Sequence, residues 1–204
     1  MSAEDERAYR ELVFQQATQE NNPNYIFVRH KKNKTSKTMY YLYTEDEESL
    51  LLCAINTDTY SFDISRNANE IIESDPLYCG KLVGDISKNT YVGTNFHNEE
   101  IIGIKYKKSN EKTGSFRQLT ASVPPDIQLV QRNPVKIDGQ WTLYYPFPTD
   151  IASAKNFIME YQDDYCCVLE KIHQEEYILS IKHPLNLFQG FCLALSSMKK
   201  FPNE

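Results

Sequence analysis

The chain has 204 residues, of which 41% are hydrophobic, 25% charged and 12% aromatic, enough apolar material to close one sizeable core but not two. Fourteen Tyr and ten Phe against seven Gly exclude a disordered or collagen-like chain and favour strands. The net charge of -6 argues against a general nucleic-acid binder, which needs an excess of Lys and Arg to displace phosphate counterions.

Five Cys (Cys53, Cys79, Cys166, Cys167, Cys192) make an odd set without a disulfide-like spacing, and the first residues carry no apolar run of the signal-peptide kind, so a reducing, cytoplasmic setting is expected. The longest apolar stretch, Leu185 to Met198, is broken by Asn186, Gln189, Ser196 and Ser197 and falls short of the ~20 residues a membrane span requires. No transmembrane segment is expected.

At the start of the chain, Ser2 followed by Asp5 has the form of a capping box, and Ala8, Leu12, Val13 and Ala17 make a weak helical stripe before Asn21, Asn22 and Pro23. This predicts a peripheral helix over residues 3 to 20, with 1–22 as an extension and 23–204 as the folded domain. Thereafter the pattern is apolar alternation, or short apolar runs between polar turns, and it predicts strands. They fall at Tyr25–Val28, Met39–Tyr43, Leu50–Ile55, Tyr60–Ile64, Tyr78–Val83, Tyr91–Phe96, Ile101–Tyr106, Phe116–Val123, Trp141–Phe147, Phe157–Tyr161, Tyr165–Leu169 and Tyr177–Ile181. About twelve closely spaced strands predict antiparallel hairpins and a closed or sandwiched sheet. Adjacent Cys166 and Cys167 on such a strand should place one in the core and the other outside.

The last segment departs from this pattern. Beyond Pro184, the residues Leu185, Leu187, Phe188, Phe191, Cys192, Leu193, Ala194, Leu195 and Met198 are apolar around a whole helical wheel, so the helix must be buried on all sides. About fifteen to seventeen residues would extend about 25 Å, a length suited to the inside of a barrel. Gly190 and Ala194 would let a strand approach closely.

These features resemble the C-terminal domain of the tubby family. Phe191-Cys-Leu-Ala-Leu-Ser-Ser197 followed by Lys200 is similar to the family's closing signature, and Ala152-Ser-Ala-Lys-Asn-Phe157 to its second. Colinear upstream matches are Thr38-Met-Tyr-Tyr-Leu-Tyr43, Leu51-Leu-Cys-Ala54, Tyr78-Cys-Gly-Lys-Leu82, Glu100-Ile-Ile-Gly-Ile-Lys-Tyr106 and Asn133-Pro134. The resemblance implies a mainly β fold: a barrel of twelve antiparallel strands around a central hydrophobic C-terminal helix. It also implies phosphoinositide binding and delivery of protein cargo to membranes and cilia. The family's headgroup ligands are a basic loop, here Asn56, Thr57 and Asp58, and an Arg, here Val83. Phe147 and Pro148 likewise stand where the family has a Gly-Arg pair.

Positive charge is gathered elsewhere. Arg29 to Lys37 reads Arg-His-Lys-Lys-Asn-Lys-Thr-Ser-Lys, with no acid, and Lys105, Lys107, Lys108, Lys112 and Arg117 have only Glu111 among them. Arg29, Lys31, Lys32, Lys34, Lys37 and Lys81 are therefore candidate headgroup ligands, with Lys105, Lys107, Lys108 and Arg117 as a second basic patch; each cation near an anionic membrane is worth ~1 kcal/mol. The alternative reading of both runs is solvated hairpin loops.

Catalytic signatures are missing. His30, His97, His173 and His183 are widely separated, with no His-Glu-x-x-His, Cys-x-x-Cys, Gly-x-Ser-x-Gly or phosphate-cradling Gly-rich run. Glu170 and His173 have the spacing of a helical metal pair but fall at a strand end. The expectation is a non-enzyme without cofactor or metal: an adaptor for phosphoinositides or anionic membranes with an unidentified protein cargo. It would be cytoplasmic and peripheral at the plasma membrane or cilium, or nuclear. A protein-interaction module that has kept the barrel and lost lipid binding is the alternative.

Overall fold

The computed structural model describes residues 2–17, 24–31, 37–58, 60–87, 89–111, 114–145 and 151–198. Its centre is helix α2 (Leu187–Ser197), in which every residue from Phe188 to Ser197 is buried. The helix is wrapped by β1 (Asn24–Lys31), β2 (Thr38–Thr44), β3 (Leu50–Asn56), β4 (Ser61–Ser65), β5 (Tyr78–Gly84), β6 (Thr90–Asn95), β7 (Glu100–Glu111), β8 (Gly114–Val123), β9 (Ile127–Gln131), β12 (Phe157–Tyr161), β13 (Asp164–Lys171) and β14 (Glu176–Ile181). These twelve strands form a closed, up-and-down antiparallel barrel in which β1 seals the circle by pairing with β14, Asn24 opposite Ser180 and Phe27 opposite Tyr177. A two-stranded ribbon outside the barrel, β10 (Val135–Ile137) and β11 (Gln140–Thr142), interrupts the meander between β9 and β12.

The period-two alternation produces this wall directly. Leu42, Leu52, Phe62, Leu82, Ile102, Leu119, Leu129 and Leu179 point inward and are completely buried against α2. Phe191 meets the edge of Phe27 with ring centroids 5.8 Å apart. Space for the helix is made by small residues. A Cβ on Gly190 would lie 2.3 Å from Ile181 Cδ1, and one on Gly93 would lie 2.6 Å from Ile102 and 3.3 Å from Cys192 Sγ. The few polar groups of α2 are paired inside: Ser196 Oγ lies 2.7 Å from Tyr106 Oη and donates to Leu193 O, and Ser197 Oγ donates to Ala194 O.

Four expectations are corrected. Helix α2 spans 11 residues, shorter than expected, because Asn186 and Gln189 form a reciprocal capping box that starts it three positions after Pro184. Helix α1 (Ala3–Glu11) keeps the Ser2–Asp5 capping box but stops well before residue 20. Leu12–Phe14 tightens into a 3-10 turn that buries Val13. The chain then extends so that Gln16 bridges Asn186 and the Ala17 amide donates to Leu185 O.

The remaining two corrections concern strands. Trp141–Phe147 is not a barrel strand: Asp138 and Gly139, both at positive φ, turn a short exposed ribbon, residues 146–147 lie outside the described residues, and the wall position belongs to Ile127–Gln131. Cys166 and Cys167 are both buried, because a register shift leaves Met159 opposite Cys167 and Glu160 opposite Tyr165, with Cys166 as the extra, bulged residue.

Because the wall surrounds α2 closely, it can collapse only partly into a deleted side chain. Leu193→Ala is expected to lower unfolding free energy by about 2 to 5 kcal/mol in denaturant titrations. Leu193→Asp, which buries a charge without a partner, is expected to leave no cooperative transition.

Candidate membrane-contacting surface

The antiparallel meander sends alternate connections to opposite rims, and α2 gives the rims their names. Gln189, in its first turn, donates to Ile101 O near the start of β7, whereas Ser196 contacts Tyr106 further along the same strand. At the amino-end rim lie the β2–β3, β4–β5, β6–β7, β8–β9 and β12–β13 connections and α1. They carry Glu45, Asp46, Glu47, Glu48, Glu70, Glu73, Asp75, Glu99, Asp126 and Asp163, besides Glu4, Asp5, Glu6 and Glu11. Three cations at this rim are engaged locally. Arg10 lies 3.5 Å over the Phe96 ring, Arg66 3.3 Å over Tyr9, and Lys182 3.3 Å over Tyr165 with Asp164 3.6 Å away. An open cleft of about 340 Å³ here is lined by Glu11, Phe14, Phe96, His97, Glu99, Glu100 and Gln189 among others, with no Lys or Arg, a lining that repels phosphate.

The carboxyl-end rim has the opposite character. The strand ends that flank the β1–β2 and β7–β8 connections both lie there, five strands apart around the wall, so the described parts of the two basic runs share one rim. Arg29 and Lys31 are on the last residues of β1, opposite Tyr40 and Thr38. Lys32 and Lys34 lie outside the described residues, and Lys37 is exposed beside the start of β2. Lys105, Lys107 and Lys108 are exposed on β7, and Arg117 stands directly opposite Lys108. Like charges in that register are destabilising. Arg117 turns over the Tyr106 ring at 4.4 Å and donates to Ala154 O at 3.4 Å. Lys155 adds a further cation, donating to Met198 O at the end of α2. The rim also holds Glu111 at the end of β7, Asp138 in the ribbon between β9 and β12, Glu175 and Glu176 on the β13–β14 side, and Asp58 and Asp85 in tight turns.

Lys81 belongs to a different environment. It sits on the outer wall across from Asp63 and forms an ion pair with Glu73 at 3.6 Å. Burial pushes the Asp63 carboxyl above its usual pKa, opposed by a hydrogen bond from Tyr78 and by the nearby charges of Lys81 and Lys37. Two acids thus offset two lysines, and the neighbouring position is the exposed Val83. Glu73 arrives from the β4–β5 connection, and no local pattern around Lys81 announces it.

The thiols offer no nucleophile. All five Cys are free and buried. Burial pushes the pKa of Cys53, Cys79 and Cys166 up to about 12, and those of Cys167 and Cys192 well above the ordinary value. Among the described residues, no three His, Cys, Asp or Glu side chains gather as a metal-ligand set. No helix of the described residues is long and apolar enough to cross a membrane.

No protein-family model matches this chain, and no curated protein matches it. The fold is a closed twelve-stranded barrel around a buried helix.

The thiols make the fold sensitive to alkali in a predictable direction. Their folded pKa values lie above the ordinary value of 9.0, so the unfolded chain ionises first, and the stability they contribute, complete below pH 9, is lost as pH rises toward 12. Melting curves between pH 8 and 12 are expected to show a falling midpoint. Ellman's reagent at pH 8 is expected to find essentially no reactive thiol until denaturant is added, and then all five.

Proposed function

We propose that this protein is a tubby-like, non-enzymatic adaptor that binds anionic membranes, phosphoinositide-containing ones included, through its carboxyl-end rim. The observation that carries the proposal is the separation of charge along the barrel axis: the strand ends flanking both basic runs share one rim, and most connections at the other rim are acidic. Such a molecule presents its basic rim to a negative surface, and the attraction fades beyond about a Debye length, roughly 10 Å at 0.1 M salt. Binding spread over a rim also fits the loss of a local headgroup pocket, with Lys81 held by Glu73 and valine at position 83. Cargo would attach on surfaces left free by this contact, and the cell location would be peripheral to a membrane.

A second reading rests on that neutralised wall. Lys81 and Lys37 near Asp63 and Glu73 make a balanced polar surface with no excess for phosphate, as expected of a barrel retained for protein contacts alone.

Liposome co-sedimentation separates the two. Wild type should partition onto phosphatidylcholine vesicles only when phosphatidylserine or a bisphosphorylated phosphoinositide is added, and less as salt rises. Replacing Lys31, Lys32, Lys34 and Lys37 together with Gln should weaken partitioning by at most about 4 kcal/mol, a thousandfold, without moving the melting temperature appreciably. Indifference of wild type to anionic lipid at low salt would leave the protein-interaction reading in its place.

A further inference from the structure

We infer that the β5–β6 hairpin tip is an apolar anchor that enters the interface of an anionic bilayer, with Ile86 as the inserting side chain. The inference rests on the membrane reading above and adds a contact of a different chemistry. Ile86 is 87% exposed, far more than any other large hydrophobic residue among the described residues. The turn is built to hold it there. Asp85 folds its carboxylate back into the turn, where it accepts from Ser87 Oγ at 2.7 Å and from the Asn89 and Thr90 amides at 3.1 and 3.3 Å. The one acid of the tip is thereby occupied, and the apolar side chain next to it is presented outward.

What surrounds Ile86 identifies the partner as a bilayer. Behind it on the outer wall Val83 and Val92 are directly opposite each other and are 42% and 38% exposed. Alongside, the Tyr106 amide donates to Asn89 O, which sets the tip against β7 between exposed Lys105 and Lys107. Outward positions continuing from Val92 across β7 and β8 are Gly103 and Ser122, and the next row holds Thr90, Lys105 and Thr120. The Glu100 carboxylate reaches over Gly103 in the first of these rows, whereas the row of Thr90, Lys105 and Thr120, nearer the tip, holds no Asp or Glu. An apolar tip flanked by lysines with flexible apolar stems suits the boundary between acyl chains and anionic headgroups, where the side chain sinks and the ammonium groups stay in water.

The experiment uses the full chain and vesicles of phosphatidylcholine with and without phosphatidylserine. Ile86→Ser should melt like wild type, because the side chain packs on little, yet partition about tenfold more weakly onto the anionic vesicles, at high as well as low salt. In a second arm, Ile86→Cys carries an environment-sensitive fluorophore; the five native thiols are buried, so the label goes to the tip. Its emission should shift to the blue on anionic vesicles, whereas the same label at Glu48→Cys, on the opposite rim, should not respond. If wild type and Ile86→Ser bind alike and the tip label stays in water, the anchor is refuted while electrostatic membrane binding stands. If wild type ignores anionic vesicles at low salt, the membrane reading and the anchor fall together. A blue shift in the presence of a protein but not of vesicles would likewise overturn it.

Discussion

A helix without a polar face cannot lie on the surface of anything in water, and this constraint shapes the whole molecule. From Phe188 to Ser197 no residue of α2 is exposed, so apolar side chains must meet it through the full circle. A single sheet covers one side and a sandwich two; a closed barrel covers all. Closure also removes the sheet edges, which otherwise invite pairing with other chains. The backbone ends of the helix are served by the same enclosure: Asn186 and Gln189 cap one, and Lys155 reaches the carbonyl of Met198 at the other. Most of the fold's energy is therefore committed to one cylinder of contacts, which leaves the outer wall and both rims open to vary.

That freedom is visible in the distribution of charge. The wall is an up-and-down meander, so each connection is assigned to a rim by its parity in the chain, and a run of like charge in alternate connections accumulates at one end. The β2–β3, β4–β5 and β6–β7 connections are acidic, whereas β1–β2 and β7–β8 are basic. The net charge of -6 hides this arrangement. On the acidic rim aromatic rings take up Arg10, over Phe96, and Arg66, over Tyr9, and these contacts also tie α1 to the barrel.

The barrel and its helix were legible because both periods are strong: inward residues such as Leu42, Phe62 and Ile104 alternate with polar ones, and Phe191 to Leu195 admits no exposed face. One wall position is predicted for the wrong segment. The strand pattern passes over Ile127–Gln131, only five residues long, and takes Trp141–Phe147 instead, although the Asp138-Gly139 turn before it marks a ribbon of its own. The bulge at Cys166 carries no such sign, since one extra residue in a strand is defined only by its partner. Contacts that decide the surface chemistry are distant in sequence: Glu73 reaching Lys81 depends on how a connection folds back. Ile86 had a signal, a lone apolar residue within Asp85-Ile-Ser-Lys-Asn89, in a stretch otherwise made of turn formers.

The order of elements has a consequence for how such a molecule comes into being. Each hairpin pairs with its neighbour in the chain, but the seam joins β1 to β14, and the helix that fills the interior follows every strand. During synthesis from the amino end, the wall is translated before the side chains that occupy its lumen, so the inward faces of Phe27, Leu52 and Ile102 remain without their partner until α2 leaves the ribosome. Folding must then combine a long-range seam with insertion of the plug, a topology that is slow to reach and prone to association on the way. Chaperone dependence of the nascent chain, rather than of the finished protein, is the expected cellular signature of a barrel whose core is its last-made part.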